Sequence, residues 1–253
     1  MDPYKTGTNR VLEGIQSGVY IPLRTAPLIV LSTVITHAFG ASAGREGAAL
    51  QLGGSIGGTF GKWLKMDEYD HKLMIMCGMS AAFSALFGTP MTAAIFSMEV
   101  VSVGIMHYSA LVPCVVASLI AHGIALESGI ASEAFVIWEI PVFHMRTAVI
   151  ISVLAVFCAL VSVLFCVMLR RTEHLYHKLF KNPFLRIFAG GCLVVALTFL
   201  VGNQDYNGAG MHMVEHYFEG SVRPEAFLLK MVFTALTIGA GFKGGEIVPS
   251  FFT

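Results

Sequence analysis

Charge is scarce in this chain: Asp, Glu, Lys and Arg together supply 13% of 253 residues, about half of what a soluble globular domain carries. Acidic and basic residues balance at 16 each, so the net charge is zero and offers no electrostatic argument for nucleic acid or an acidic partner. No C-x-x-C pair occurs among the five cysteines, Cys77, Cys114, Cys158, Cys166 and Cys192. They lie in or beside apolar segments and read as small buried hydrophobes rather than as a redox or metal pair. A cleavable signal peptide is also missing, because Met1 to Arg24 is polar and carries Asp2, Lys5, Arg10, Glu13 and Arg24. Insertion into a membrane is expected to rely on the spans themselves.

Apolar residues take the place of the charge, at 55% of the chain with a mean hydropathy of +0.72. The stretch from Ala148 to Leu169 runs without a charge, close to the ~20 residues a helix needs to cross the hydrocarbon core. Leu73 to Met98, Val100 to Leu126, Ile187 to Gly202 and Phe227 to Gly241 are apolar but interrupted by Gly, Pro or His, and several are short for a full crossing. Such a pattern predicts an all-α polytopic membrane protein of tilted and broken helices. Freed backbone groups at membrane depth must then be covered by protein or line a cavity. Arg170, Arg171, Lys178, Lys181 and Arg186 cluster between two apolar spans; the bias of basic residues toward cytoplasmic loops puts this connection inside. The acidic stretch from Asn203 to Glu225 falls on the opposite side. Beyond orientation, the basic cluster reads as a lipid headgroup anchor with no function of its own. Both ends read as cut: Tyr4 to Gly18 opens on a loop and helix, and Glu246 to Thr253 stops as a segment begins after Pro249. The expected organisation is one incomplete transmembrane domain over 1–253, with a first half at 1–140 and the start of a second at 141–253.

Gly44-Arg45-Glu46-Gly47 sets an acid between glycines deep in apolar sequence. Burying an ionisable side chain at membrane depth costs at least ~2.5–3.5 kcal/mol, so Glu46 reads as part of an ion or proton path. A glycine-rich turn that opens a helix also presents unpaired N–H groups and the positive end of the helix dipole, an arrangement suited to an anion. After it, Gly53, Gly57 and Gly61 recur every fourth residue, as do Gly54 and Gly58. This smooth face serves tight helix packing or lines a narrow passage. Gly241-Phe242-Lys243-Gly244-Gly245-Glu246-Ile247-Val248-Pro249 repeats the grammar, with Pro249 suited to a first helical turn. Two half-helices whose N-termini converge on one anion are expected of a transporter with an inverted repeat. Glu246 has a plainer reading, as an acid paired with Lys243 at the membrane surface.

His212-Met213-Val214-Glu215-His216 matches H-x-x-E-H, the inverted zinc-peptidase pattern, and supplies an enzyme reading in which His212 and His216 hold zinc and Glu215 acts as general base or acid. No third ligand is obvious, and chance polar residues on an amphipathic surface are the alternative. His37, His107 and His122 read as histidines with local partners. A third class, a membrane scaffold without transport, needs no carboxylate at position 46.

The Gly44–Gly47 motif with Gln51, the Gly241–Pro249 segment, and Phe83-Ser84-Ala85-Leu86-Phe87-Gly88-Thr89-Pro90 followed by Phe96-Ser97-Met98-Glu99 resemble the CLC family of chloride channels and proton-coupled anion antiporters. The resemblance runs from about Gly7 to the end of the chain. It implies a multi-pass integral membrane homodimer, no cofactor, and a pathway for halide anions with protons as a possible second substrate. By that resemblance Glu46 matches the gating glutamate, and backbone donors at Gly44, Arg45, Gly47, Ile247 and Val248 hold the anion. The family's first anion loop, Gly-Ser-Gly-Ile-Pro, is replaced by Thr6-Gly7-Thr8-Asn9-Arg10, which makes Thr8 and Asn9 the matching anion contacts. That loss, with Glu246 two residues before an anion contact, resembles the fluoride-exporting bacterial branch and implies a bacterial plasma membrane and a proton role for Glu246. The inner proton glutamate of many antiporters falls on Val100, with acidic Glu99 beside it. Chloride against fluoride, and channel against antiporter, stay open at this point.

Overall fold

In a computed structural model of the chain, the described residues are 22–101, 105–130, 144–218 and 223–253. Thr8 and Asn9 lie outside them. The described elements are helical: α1 Thr25–Ala38, α2 Glu46–Trp63, α3 Glu68–Phe87, α4 Pro90–Glu99, a 3-10 turn Tyr108–Ala110 running into α5 Leu111–Glu127, α6 Met145–Leu179, α7 Pro183–Val201, α8 Met211–Phe218, α9 Ala226–Gly239 and α10 Ile247–Phe252. Tyr108–Glu127, Met145–Leu179 and Pro183–Val201 are long and apolar enough to cross a membrane. Helices α1 and α9, at 14 residues each, reach about 21 Å and fall short of the ~30 Å hydrocarbon core. They are the broken helices the interrupted sequence predicts.

Two compact units divide the chain. Among the described residues, one holds 22–35, 45–101, 105–130 and 243–245, and the other holds 36–44, 144–218, 223–242 and 246–253. Each unit therefore takes a short loop from the sequence neighbourhood of the other.

In the first unit, the glycine stripe of α2 serves packing. Gly53 lies against the backbone of Gly78, Gly57 against the Met74 carbonyl, and Gly61 against His71, all on α3. The His71 ring bonds the Gly58 carbonyl at 2.9 Å. Helix α3 begins where the Asp67 carboxylate accepts the Asp70 N–H at 2.8 Å and ends at Gly88; Pro90 then occupies the first turn of α4. So the apolar run Leu73–Met98 becomes two helices. Ser80 and Ser84, one turn apart on α3, donate to the carbonyls of Cys114 and Ser118, one turn apart on α5, at 3.0 and 2.8 Å. These bonds join the helices where apolar side chains gain nothing from leaving lipid for protein.

In the second unit, α6 runs 35 residues, about 52 Å, so Arg170 and Arg171 continue the helix rather than opening a loop. Arg186 likewise belongs to α7, and its Nε donates to the Ala240 carbonyl at 3.2 Å. Asn182 caps α7 by accepting from the Phe184 N–H at 2.9 Å. Val194, Tyr206, Met213, Ala226, Phe233 and Phe252 form the core. The cysteine expectation fails at three positions: Cys158, Cys166 and Cys192 are exposed on the chain, and only Cys114 is fully buried. Small apolar size suits a lipid-facing helix surface as well as a core.

Candidate functional site

Glu46 is fully buried, 0% exposed, at the first position of α2. Its N-cap, Arg45, makes no side-chain cap and is itself exposed, between buried Gly44 and Glu46. Arg45 therefore does not cap the first-turn amides of α2 with its side chain. One turn on, Gln51 donates to the Gly47 carbonyl at 3.1 Å. This bond uses the buried amide of Gln51 to satisfy helix backbone.

Within the same unit the second glycine-rich turn meets this helix start. A Cβ on residue 245 would fall on the Glu46 carboxylate oxygen, 2.5 Å from its Cδ and 2.8 Å from the Gly47 nitrogen. Only glycine fits, and the turn carries the backbone up to the carboxylate. Gly245→Ala is therefore expected to push the Glu46 side chain from its place and to press on the α2 backbone at Gly47. The measurement is anion efflux from liposomes across a pH series, with a flattened response relative to wild type as the expected outcome.

The two turns repeat each other in backbone conformation. Moving from α1 to α9 adds a constant 201 to the residue number (226 − 25 = 239 − 38 = 201). Gly40 and Gly241 share positive φ (+72° and +101°), and their N–H groups bond the His37 and Ile238 carbonyls at 3.0 and 2.9 Å. Arg45 (φ −104°, ψ −11°) then corresponds to Glu246 (φ −105°, ψ −9°). In this register the counterpart of Glu46 is Ile247. The two glutamates are not equivalents: Glu46 is buried on the helix, while Glu246 is an exposed N-cap. Gly44, Glu246, Ile247 and Val248 belong to the second unit, whereas Arg45, Glu46 and Gly47 belong to the first. Val248 is buried and Ile247 partly so.

Three polar residues of the second unit escaped the sequence reading. Ser42, just before the Gly44 turn, donates its N–H to Thr237 Oγ1 at 3.1 Å, and its hydroxyl pairs with Thr234 Oγ1 at 3.0 Å. All three are fully buried. For Thr234 and Thr237 the signal was their spacing with Lys230 along one face of an otherwise apolar helix; Ser42 carried none. In the loop before α8, burial raises the Tyr206 hydroxyl above its ordinary range, and Arg223 acts in the opposite direction.

The zinc reading loses its support. His212, Glu215 and His216 are exposed on α8. His212 faces Asp205, with Nε2 3.7 Å from the carboxylate, and among the described residues no three His, Cys, Asp or Glu side chains gather as a metal site.

A family model described as "Voltage gated chloride channel" matches residues 3–253. The chain belongs to this family. A "Chloride/fluoride channel protein" of Pseudomonas syringae pv. tomato is 33% identical over 257 residues, covering 99% of this chain and 57% of that protein. Among solved structures, a crystal structure of a CLC-type fluoride/proton antiporter superposes with a TM-score of 0.92 at 33% identity, over 96% of this chain and 62% of that one. A slow cyanobacterial Cl−/H+ antiporter gives a TM-score of 0.79 at 17% identity, over 96% of this chain and 59% of that one, and shares the fold. The chain thus spans about three-fifths of the length of these relatives. It is an integral membrane protein with the all-α broken-helix architecture of the CLC family.

Proposed function

We propose that this chain carries part of a halide pathway in which the Glu46 carboxylate competes with the anion for one seat at the start of α2. The observation that carries the reading is the full burial of Glu46 at a helix N-terminus with the Gly245 backbone against its carboxylate. An acid in that place is costly unless donors meet its charge. The same donors suit a halide, and protonation removes the carboxylate's claim on them, so one side chain links anion occupancy to proton occupancy.

In this proposal the α2 amides around Gly47 serve the anion directly. Backbone groups of Gly44, Arg45, Ile247 and Val248, with Thr8 and Asn9, are the further donors that the family resemblance assigns. Glu246, exposed, is the group through which protons enter or leave. The assembly is a homodimer in a bacterial plasma membrane, with 1–253 belonging to a single transport domain. Support for a membrane-embedded or self-associating surface comes from α7, where Phe199 and Leu200 are each 83% exposed on the isolated chain, and from α6, where Val153 and Leu160 are exposed as well.

Fluoride and chloride are both named by the relative at 33% identity, and fluoride with protons by the solved structure at 33% identity. The deciding experiment reconstitutes the intact protein in liposomes and follows fluoride efflux, chloride efflux and proton uptake side by side. Halide efflux accompanied by proton uptake is the expected result. Absence of efflux for both halides from well-folded protein overturns the reading.

A further inference from the structure

Lys230 is fully buried in the second turn of α9, yet the proposed halide pathway makes no use of it. Its Nζ donates to the Tyr206 carbonyl at 3.1 Å and to the Gly208 carbonyl at 2.8 Å, and it lies 5.5 Å from the centroid of the Phe252 ring. A charged group so placed is tolerated only with strong acceptors around it. The matching helix of the internal repeat, α1, buries Ile29 at the corresponding position, while its Thr33 and Thr36 correspond to Thr234 and Thr237. The two copies of the repeat differ at this position, with the lysine in the second alone.

What it holds is informative. Gly208, whose carbonyl it grips, donates its N–H to the Ala41 carbonyl at 3.1 Å. One and two turns further along the same face, Thr234 and Thr237 hold the hydroxyl and the N–H of the next residue, Ser42. Lys230, Thr234 and Thr237 stand at i, i+4 and i+7 and so form a single polar stripe. Between them they fix two consecutive residues of the segment that ends at Gly44, within one unit.

We propose that this stripe, with Lys230 at its head, consists of positioning residues that set the backbone leading into the Gly44 turn, and thereby the affinity for halide. The inference rests on the proposed anion role of that turn. Lys230→Met removes both carbonyl grips while keeping an unbranched stem of similar bulk. Release of the 206–208 loop then frees Ala41 and lets the donors of the turn drift from the anion.

The test is halide efflux from liposomes by the intact protein as a function of halide concentration, with Glu46→Gln measured in parallel. Lys230→Met is expected to raise the half-saturating concentration about tenfold, with the maximal rate changed by less than about threefold. Thr237→Val, which removes the acceptor for the Ser42 N–H without touching charge, shifts the same constant in the same direction, and Thr237→Ser restores it. If Lys230→Met does not yield monodisperse protein, the Thr237 pair decides alone. Half-saturation unchanged in the variants that fold, with Glu46→Gln behaving as described in the Discussion, sinks the positioning role by itself. Unchanged proton movement in Glu46→Gln sinks the site reading on which it rests.

Discussion

Glu46→Gln is expected to reduce proton movement at least tenfold while the protein remains folded, with halide movement becoming insensitive to pH. Glutamine matches glutamate in size and keeps a hydrogen-bonding head, so the close approach of Gly245 is preserved. What it lacks is the titratable charge. A buried carboxylate at the positive end of a helix occupies donors when ionised and releases them when protonated; an amide does neither as pH changes. The measurement is paired halide and proton flux in liposomes across a pH series. A folded Glu46→Gln protein that keeps wild-type proton movement at every pH removes Glu46 from the mechanism. A membrane scaffold without transport predicts an effect of this substitution on stability alone, so the same experiment separates the two classes.

The second large effect concerns the fold. Gly57→Val is expected to abolish recovery of monodisperse protein, and Gly57→Ala to lower the midpoint of thermal unfolding sharply. Even a single methyl at residue 57 would land on the Met74 carbonyl and within 3.0 Å of its carbonyl carbon. Those atoms are backbone of α3 and have no rotamer to escape into. Overpacking of this kind costs about 1–3 kcal/mol, more where only backbone can yield, and it would separate helices whose contact depends on small residues. Gly123 on α5 provides the control, since a Cβ there meets no atom within 4 Å. Gly123→Ala is expected to be neutral or to stabilise by about 1 kcal/mol through helix propensity. Equal unfolding midpoints for the two alanine variants contradict the packing of α2 on α3.

Residue by residue, the legible features were those that local chemistry dictates. Gly88-Thr89-Pro90 announces a helix end followed by a helix start, and the chain breaks there into α3 and α4. The every-fourth glycines of α2 admit either packing or a passage lining, and the position of α3 against Gly53, Gly57 and Gly61 selects packing. The buried acid at 46 was legible because a carboxylate within apolar sequence has few inexpensive explanations. Glu246 was harder. Spelling places it beside a glycine as Glu46 is, but the matching backbone angles align it with Arg45, one residue earlier in the repeat. A one-residue shift at a helix start exchanges a side chain on the helix for one at its cap, and composition carries no record of that shift. Lys230 escaped notice because a single basic residue in an apolar helix resembles one that reaches to the surface.

By itself the sequence determined the solvent, the helical class and the candidate acid, because hydropathy, glycine and proline placement and the cost of buried charge are properties of residues and their near neighbours. Only the tertiary structure decided that Gly245 comes to rest on Glu46, that Glu246 turns outward, and that Lys230, Thr234 and Thr237 grip the 206–208 loop and the 41–42 segment. The contacts among them join residues 22 and 24 positions apart at Lys230 and nearly 200 apart at Gly245, Thr234 and Thr237, and the deciding quantity is whether a backbone can approach within contact distance and meet a donor with an acceptor. Such distances arise when helices pack, and no local pattern encodes them.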